Sequence, residues 1–599
     1  MHGLARIVIA AGAIVSGRGD VCRRGVGDGV DVNPTDVGRR ARALSVRAPA
    51  SNSSDRLVLV AALTAGALFR LLPYLERPSL SLDEARLALN IGARSFAGLL
   101  LPLAYDQAAP PVFLWAEKTA MLIGGPNEYS LRALPLVAGL LVPALTYVLA
   151  VRTAGKRIAR LATALTALSP SLVQYSIQLK PYSMDALACV GLLATFVLES
   201  GRRPDRGPGP WTTALGTIAV WLSVTAPFVL AAVGMASWRA ARGCGRRLAA
   251  ALGSWGVSFG IVYWAVYRPT AGNPYLNWYW SQRLLTAWIP GLPSRAFWAI
   301  RDVLFTSFVS DVFEVRAIPF HVAAVLVAVT VIGVLAWLGW RRLALTGSTG
   351  PLLLGGPLAG VFAASLLGAY PIGARVVLFA VPLWMIFVAA GVVRVVSLPP
   401  LGRRVTVAVL LSPILAAGQL RNVVRADDPY REGHLRPAVE FIEREATPSE
   451  PVYVAAGALP SWTFYTTDWS RPDTARLARM AREGSSGGRA FENGPPRGRR
   501  VLEDNEDLVF PLRGRVELLG VADGAPFRAG DPLKQPSDPG WATSEARRIR
   551  RVAQPTAWLA ATESYGLSDQ LDGALRSLGG VRRDSLVGHW VVAARYQFP

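Results

Sequence analysis

The stretch ALPLVAGLLVPALTYVLAV (133–151), followed at once by RTAGKRIAR (152–160), decides the fold. Its first part runs 19 residues without a charge, which at about 1.5 Å per residue crosses the hydrocarbon core of a bilayer. Arg152, Lys156, Arg157 and Arg160 close one end, and Glu128 stands before the other. An apolar run with its basic flank on one side reads as a transmembrane helix whose basic end stays in the cytoplasm.

The same pattern recurs along the chain. Candidate spans lie at 56–75, 133–151, 159–177, 182–198, 211–223, 227–238, 248–267, 318–340, 350–369, 376–397 and 405–420. With the N-terminus inside, the basic groups Arg202/Arg203/Arg206, Arg239/Arg242/Arg246/Arg247, Arg341/Arg342 and Arg403/Arg404 all fall in the cytoplasm. Asp83, Glu84, Asp106, Glu117, Glu128, Asp302, Asp311 and Glu314 then fall outside. Residues 111–124 are apolar but short, and a crossing there would invert every later loop, so they read as an interfacial helix. Residues 211–238, interrupted by Pro227 and flanked by basic loops, read as two short helices that enter and return. The sum is a polytopic α-helical membrane protein of about eleven spans.

Composition agrees. Of 599 residues 52% are hydrophobic, and the formal net charge is +22. A pI near 10.6 invites a nucleic-acid reading, but the basic residues are dealt out between apolar runs as membrane topology requires. Cys22, Cys189 and Cys244 are far apart, and the four histidines never cluster. A catalytic zinc site of the usual ligand spacing is therefore not expected; no cofactor is expected, and divalent-cation dependence stays open. Residues 1–54 read as a disordered cytoplasmic tail, 55–420 as the membrane domain, and 421–599 as a small extracytoplasmic α/β domain. In that last part a helix is expected near 435–446, with strands at 452–456, 515–521, 556–561 and 590–597. The Gly-, Ser-, Pro- and Arg-rich stretch 482–500 reads as disordered.

Ser81-Leu82-Asp83-Glu84 has the form of a capping box, with Ser81 as N-cap and Glu84 reaching back to it. Both acids can simply favour the start of a helix. The pattern nevertheless employs Glu84 and leaves Asp83 free, with Arg86, Asn90 and Arg94 on its side of the helix. A free carboxylate beside a bilayer suits a general base acting on a lipid-linked substrate.

The runs Ser81–Ala85, Leu101–Pro110 (LPLAYDQAAP) and Glu128–Arg132 (EYSLR) resemble bacterial relatives of the protein O-mannosyltransferases. These are integral-membrane glycosyltransferases of the GT-C fold, family 39, which also includes aminoarabinose transferases. Lys180-Pro181-Tyr182-Ser183-Met184-Asp185 resembles the family's second outer loop, and Tyr370-Pro371-Ile372-Gly373-Ala374-Arg375 the loop before a late span. The resemblance implies a polyprenyl-phosphate sugar donor, a glycan, lipid or protein hydroxyl acceptor, and a bacterial cytoplasmic membrane. It also implies that Asp83 deprotonates the acceptor. Leu82 and Ala109 depart from it, where many relatives carry an aromatic residue and some a lysine. With that lysine missing, Lys180, Arg375 and Arg86 become the candidates for the donor phosphate, although Lys180 and Arg375 also suit simple snorkelling to the headgroups.

Other candidates rest on chemistry and position. Asp106 and Gln107 can hydrogen-bond sugar hydroxyls or merely form a polar loop tip, and Asp185 can pair with Lys180 or orient substrate. Tyr182 and Tyr370 enter through their loops, and Glu84 as a neighbour of the base. Tyr275, Trp278 and Trp280 can stack on a sugar face, although aromatics also gather at membrane interfaces without a ligand. A transporter or flippase of a lipid-linked sugar is the rival class, and a non-catalytic envelope-assembly scaffold a third. Spans nearly free of acids speak against transport.

Overall fold

The computed structural model describes residues 53–201, 207–241, 245–281, 283–286, 291–305, 319–346, 349–373, 375–396, 435–455, 457–484, 509–512, 515–519, 540–553, 555–562, 567–588 and 591–599. The expected tail 1–54 (save its last two residues), the span 405–420 and the stretch 485–500 lie outside them.

The helical part runs α1 Ser53–Leu75, α2 Leu82–Ala93, α3 Pro111–Gly124, α4 Glu128–Ala154, α5 Lys156–Leu168, α6 Pro170–Tyr175 and α7 Tyr182–Ser200. It continues with α8 Pro210–Leu222, α9 Ala226–Ala241, α10 Arg246–Val262, α11 Pro274–Ser281, α12 Leu292–Phe305, α13 Pro319–Ala344, α14 Gly350–Leu366 and α15 Val381–Val396. Among the described residues, five segments are long and apolar enough to cross a membrane: Arg56–Leu75, Glu128–Ala154, Tyr182–Ser200, Arg246–Ala271 and Leu378–Val396. One expected boundary differs. The run 159–177 is not one helix but α5 and α6, because Pro170 lacks the N–H that would continue the ladder and Ser169 is extended at ψ 120°. The apolar run at 111–124 forms a separate short helix, α3, that starts on Pro111 and ends where Gly125 takes φ +82°.

Sequence sets the packing. Gly155, at φ +91°, turns α4 back into α5. Gly339 on α13 and Gly391 on α15 face each other's neighbours so closely that backbone oxygens of Phe387 and Leu335 stand where a Cβ would go. Those two helices therefore cross in backbone contact. At the other end, the Tyr74 and Tyr129 hydroxyls donate to Tyr129 O and Leu75 O, both at 2.9 Å, pinning the end of α1 to the start of α4.

After the bundle come α16 Arg436–Glu445, β1 Val452–Val454, α17 Leu459–Thr466, α18 Thr474–Gly484, β2 Val509–Leu512 and β3 Arg515–Leu519. Then follow α19 Trp541–Val552, β4 Thr556–Thr562, α20 Leu567–Ser577, β5 Val581–Gly588 and β6 Val591–Gln597. The strands form one sheet in the order β2-β3-β1-β4-β6-β5. β1 pairs in parallel with β3 and β4, Val452 opposite Glu517 and Trp558, and the outer pairs are antiparallel. One face packs Trp462 and Trp558 with α16, the other Tyr453 and Tyr596 with α19 and α20. A separate apolar core joins Leu80, Leu87 and Phe113 of the first loop to Phe464 and Leu477 of this region.

Candidate functional site

The capping box forms: Glu84 N donates to Ser81 Oγ at 3.4 Å and Ser81 N to Glu84 Oε2 at 3.0 Å. Glu84 does more than cap, however. It is 2% exposed and takes Arg132 Nε at 2.8 Å and Nη2 at 2.9 Å, a two-pronged pair with a guanidinium that is equally buried. Its Oε1 also accepts from Leu179 N at 2.8 Å. Glu84 thus ties the start of α2 to the residue before Lys180, and the two loops are fixed relative to each other. Burial pushes its carboxyl up, but the charge and hydrogen bonds of Arg132 outweigh that and hold it down at about 2.

Asp83, on the neighbouring position, turns the other way. Its Oδ2 lies 3.4 Å from Arg375 Nη1 and 3.8 Å from Lys180 Nζ. The Asp83 side chain is 43% exposed while those of Lys180 and Arg375 are 11% and 28% exposed, so the carboxylate opens outward over more deeply seated cations. The Lys180 ammonium above all, with Arg375 and Arg86, holds the Asp83 carboxyl down at about 2 against the upward push of burial. Burial in turn lowers the Lys180 ammonium from its usual range, with Asp83 acting against it.

The cations are aimed by their neighbours. Lys180 Nζ donates to Gln107 Oε1 at 3.0 Å. Gln107 follows Tyr105 and Asp106, which sit at φ +59° and +54°, a left-handed conformation that side chains of this kind tolerate only when surroundings enforce it. Asn90 supplies part of that enforcement by exchanging hydrogen bonds with Ala104 N at 2.8 Å and Ala104 O at 3.0 Å. Buried Asp106 accepts from Asn273 Nδ2 at 3.0 Å, drawing in the segment just before α11. Arg375 donates to the Tyr279 hydroxyl at 3.2 Å and lies 5.4 Å from the Trp280 ring centre. Its loop is braced by Ile372 N donating to Arg283 O at 2.8 Å and by the Tyr370 hydroxyl donating to Val376 O at 3.2 Å.

Asp83, Gln107, Lys180, Trp280 and Arg375 therefore meet, with Arg86 one turn along α2 and half-buried. Tyr182 packs edge-on against Tyr175 at 5.1 Å. The Lys180–Asp185 pair does not form: Asp185 is 4% exposed inside α7, and Lys180 turns to Asp83. Pro181 begins the helix, and one turn carries Asp185 into the bundle. Tyr275 and Trp278 lie on α11, their side chains outside the described ones. Sequence reasoning passed over Arg132, although it closes the EYSLR run, and Tyr279, which aromatic clustering alone could not single out. Among the described residues no three His, Cys, Asp or Glu side chains group to hold a metal ion.

An apolar groove of about 380 Å³ lies between α13, α14 and α15, lined by Trp337, Trp340, Leu358, Phe362, Trp384 and Phe387. Its wall includes Ala380, five residues after Arg375 in the chain.

Residues 108–263 match the family model described as dolichyl-phosphate-mannose-protein mannosyltransferase, the family that the outer-loop residues resemble. Glu128, Arg132, Lys180 and Asp185 fall within the match; Asp83 and Arg375 lie outside it. No curated protein sequence matches the chain. Among solved structures, the chain is similar to ArnT from Cupriavidus metallidurans bound to undecaprenyl phosphate, at 16% identity and a TM-score of 0.45, covering 91% of this chain and 98% of that one. It is similar also to the archaeal oligosaccharyltransferase AglB from Archaeoglobus fulgidus in complex with an inhibitory peptide and a dolichol-phosphate. There the identity is 14% and the TM-score 0.43, with 88% of this chain and 73% of that one covered.

Proposed function

We propose that this protein is an inverting glycosyltransferase that moves a sugar from a polyprenyl phosphate to a hydroxyl acceptor at the outer face of a membrane. The observation that carries the reading is a carboxylate held over two basic side chains, Lys180 and Arg375, beside the rings of Tyr279 and Trp280. The donor phosphate binds Lys180 and Arg375, the guanidinium offering a planar fork. Tyr279 and Trp280 flank the sugar, and the prenyl chain lies along the groove.

Asp83 accepts the acceptor's hydroxyl proton as the acceptor oxygen bonds to the anomeric carbon. The bond from that carbon to the phosphate oxygen breaks, its electron pair leaving with the lipid phosphate. One displacement inverts the anomeric centre. A carboxyl held near 2 is a weak base at rest. An arriving phosphate engages the cations that hold it there and adds negative charge beside it, so donor binding raises the basicity of Asp83 when it is needed.

The same reading places the N-terminus in the cytoplasm and the sheet domain outside, with about eleven spans. A reporter active only after export, fused after Pro599, should be active, and one fused after Arg247 silent; the reverse pattern would put Asp83 on the wrong side. The function is tested by incubating membranes containing the protein with a panel of polyprenyl-phosphate sugars and following release of lipid phosphate. Release that depends on Asp83 supports the reading, and its absence with every donor counts against it.

A further inference from the structure

Five consecutive backbone carbonyls, residues 77 to 81, lead into Asp83, and each of them is held. Arg132 takes Pro78 O at 2.6 Å and Ser79 O at 3.0 Å, and Ser81 O accepts from Ala85 N at 2.8 Å. The other two are taken by the C-terminal region: Arg436 Nη2 donates to Arg77 O at 3.0 Å and Ser461 Oγ to Leu80 O at 3.3 Å. Leu80 N donates to the Tyr465 hydroxyl at 2.7 Å, and Arg436 N to Ser79 Oγ at 3.0 Å. Leu80 is wholly buried, and both of its backbone polar groups are satisfied by the single helix α17.

Tyr465 passes this on. Its hydroxyl donates to Glu128 Oε1 at 2.8 Å, and Glu128, 1% exposed, also receives Arg436 at 2.8 Å and Arg77 at 2.9 Å. The Trp469 ring lies where a Cβ on Gly92 would stand, so the far end of α2 is covered by the same region. Docking alone would need only the apolar contact that Phe464, Leu477 and Trp469 provide. A closed polar network whose members satisfy one another adds something different: it fixes geometry, because any shift leaves a buried group unpaired.

Resting on the reading of Asp83 as the base, we propose that α17 of the C-terminal region is part of the active-site framework, and that Tyr465 is a positioning residue which sets the Asp83 carboxylate by fixing Leu80. The consequence is kinetic. Misplacement of a reacting group by about 1 Å costs on the order of a hundredfold in rate, while the donor's phosphate contacts, Lys180 and Arg375, are not held by α17.

The test uses the full chain in lipid nanodiscs, comparing Tyr465→Phe and Ser461→Ala with wild type by amide hydrogen exchange and by steady-state kinetics per folded molecule. Tyr465→Phe should speed exchange at Leu80 by about tenfold or more, since its acceptor is gone, and lower kcat by roughly ten- to a hundredfold with the donor KM little changed. Ser461→Ala should do the same to a smaller degree. Unchanged exchange at Leu80 in both variants would show that the clamp does not exist. Faster exchange with a wild-type kcat would overturn the positioning role. If wild type transfers no sugar at all, the functional reading fails instead, and Leu80 exchange still decides whether the clamp exists.

Discussion

Glu450, just before β1, and Asp83, at the start of α2, are both carboxylates paired with basic side chains, and both are held at about 2. They reach that value by opposite means. Glu450 is saturated: burial pushes it up, but the Thr556 hydroxyl at 2.7 Å, the Trp558 indole at 3.1 Å, Thr447 N at 2.9 Å and the Arg595 guanidinium bring it down. Asp83 is held chiefly by charge, from Lys180 first, across gaps of 3.4 and 3.8 Å and with nearly half of its side chain open. Hydrogen bonds made within a folded sheet cannot be taken over by a ligand, whereas a charge at a gap can. Equal acidity thus hides unequal availability, and only Asp83 can change its basicity when an anion arrives.

The contrast breaks most visibly in activity. Asp83→Asn keeps size and polarity but accepts no proton, so transfer per folded molecule should fall by about 10²–10⁴-fold with membrane insertion intact; transfer at the wild-type rate would remove the base from the mechanism. Glu450→Gln should instead loosen the sheet and leave the kinetics of the folded fraction alone.

Between these extremes sits Glu84, which capping alone would value at roughly 1 kcal/mol or less. Because Glu84→Gln leaves the Arg132 charge buried with half its support gone, we expect about 3 kcal/mol or more of lost stability, read by denaturant melting. A loss confined to the capping value would mean that the Arg132 pair contributes little.

Arg375 sharpens the comparison from the cation side. Arg375→Lys keeps the charge without the planar fork, so it should retain partial activity, with Arg375→Ala falling roughly tenfold further and the defect lying in donor use. Equal activity of both variants with wild type would reduce Arg375 to an interfacial anchor.

The smallest effect is in pH. The folded Asp83 carboxyl is depressed below its unfolded value of about 3.9. Its contribution to stability is therefore full above that value and fades as pH falls through about 2. The acid limb of kcat/KM for wild type should accordingly lie below about pH 4. Lys180→Met removes the largest depressing charge and should move that limb upward; an unmoved limb would assign the acidity of Asp83 to another source.

The helical bundle was legible because its signal is repeated: long uncharged runs, basic groups at alternate ends, and Pro or Gly at the breaks. The capping box was legible because it is local. What escaped reading was long-range. Glu84 and Arg132 are 48 positions apart, and nothing in their spacing says that one is the buried partner of the other. Tyr465 joins Leu80 from 385 positions away. The break at Pro170 was readable in principle but was overridden by the apolar run around it. Strands β2 and β5 were missed because they carry proline or charged residues and lie at the sheet's edges, where half-paired backbone leaves little pattern.

One consequence of the sheet order remains. β6 lies inside the sheet, between β4 and β5, yet it is made long after α17. The helix that grips Leu80 belongs to a layer that closes only when this late strand has arrived and paired. During synthesis Asp83 is made early and waits, without the contacts of α17, until that helix and the rest of the sheet have followed. If Asp83 is the base as proposed, a chain stalled or cut before β6 would carry that carboxylate without its frame and should transfer no sugar.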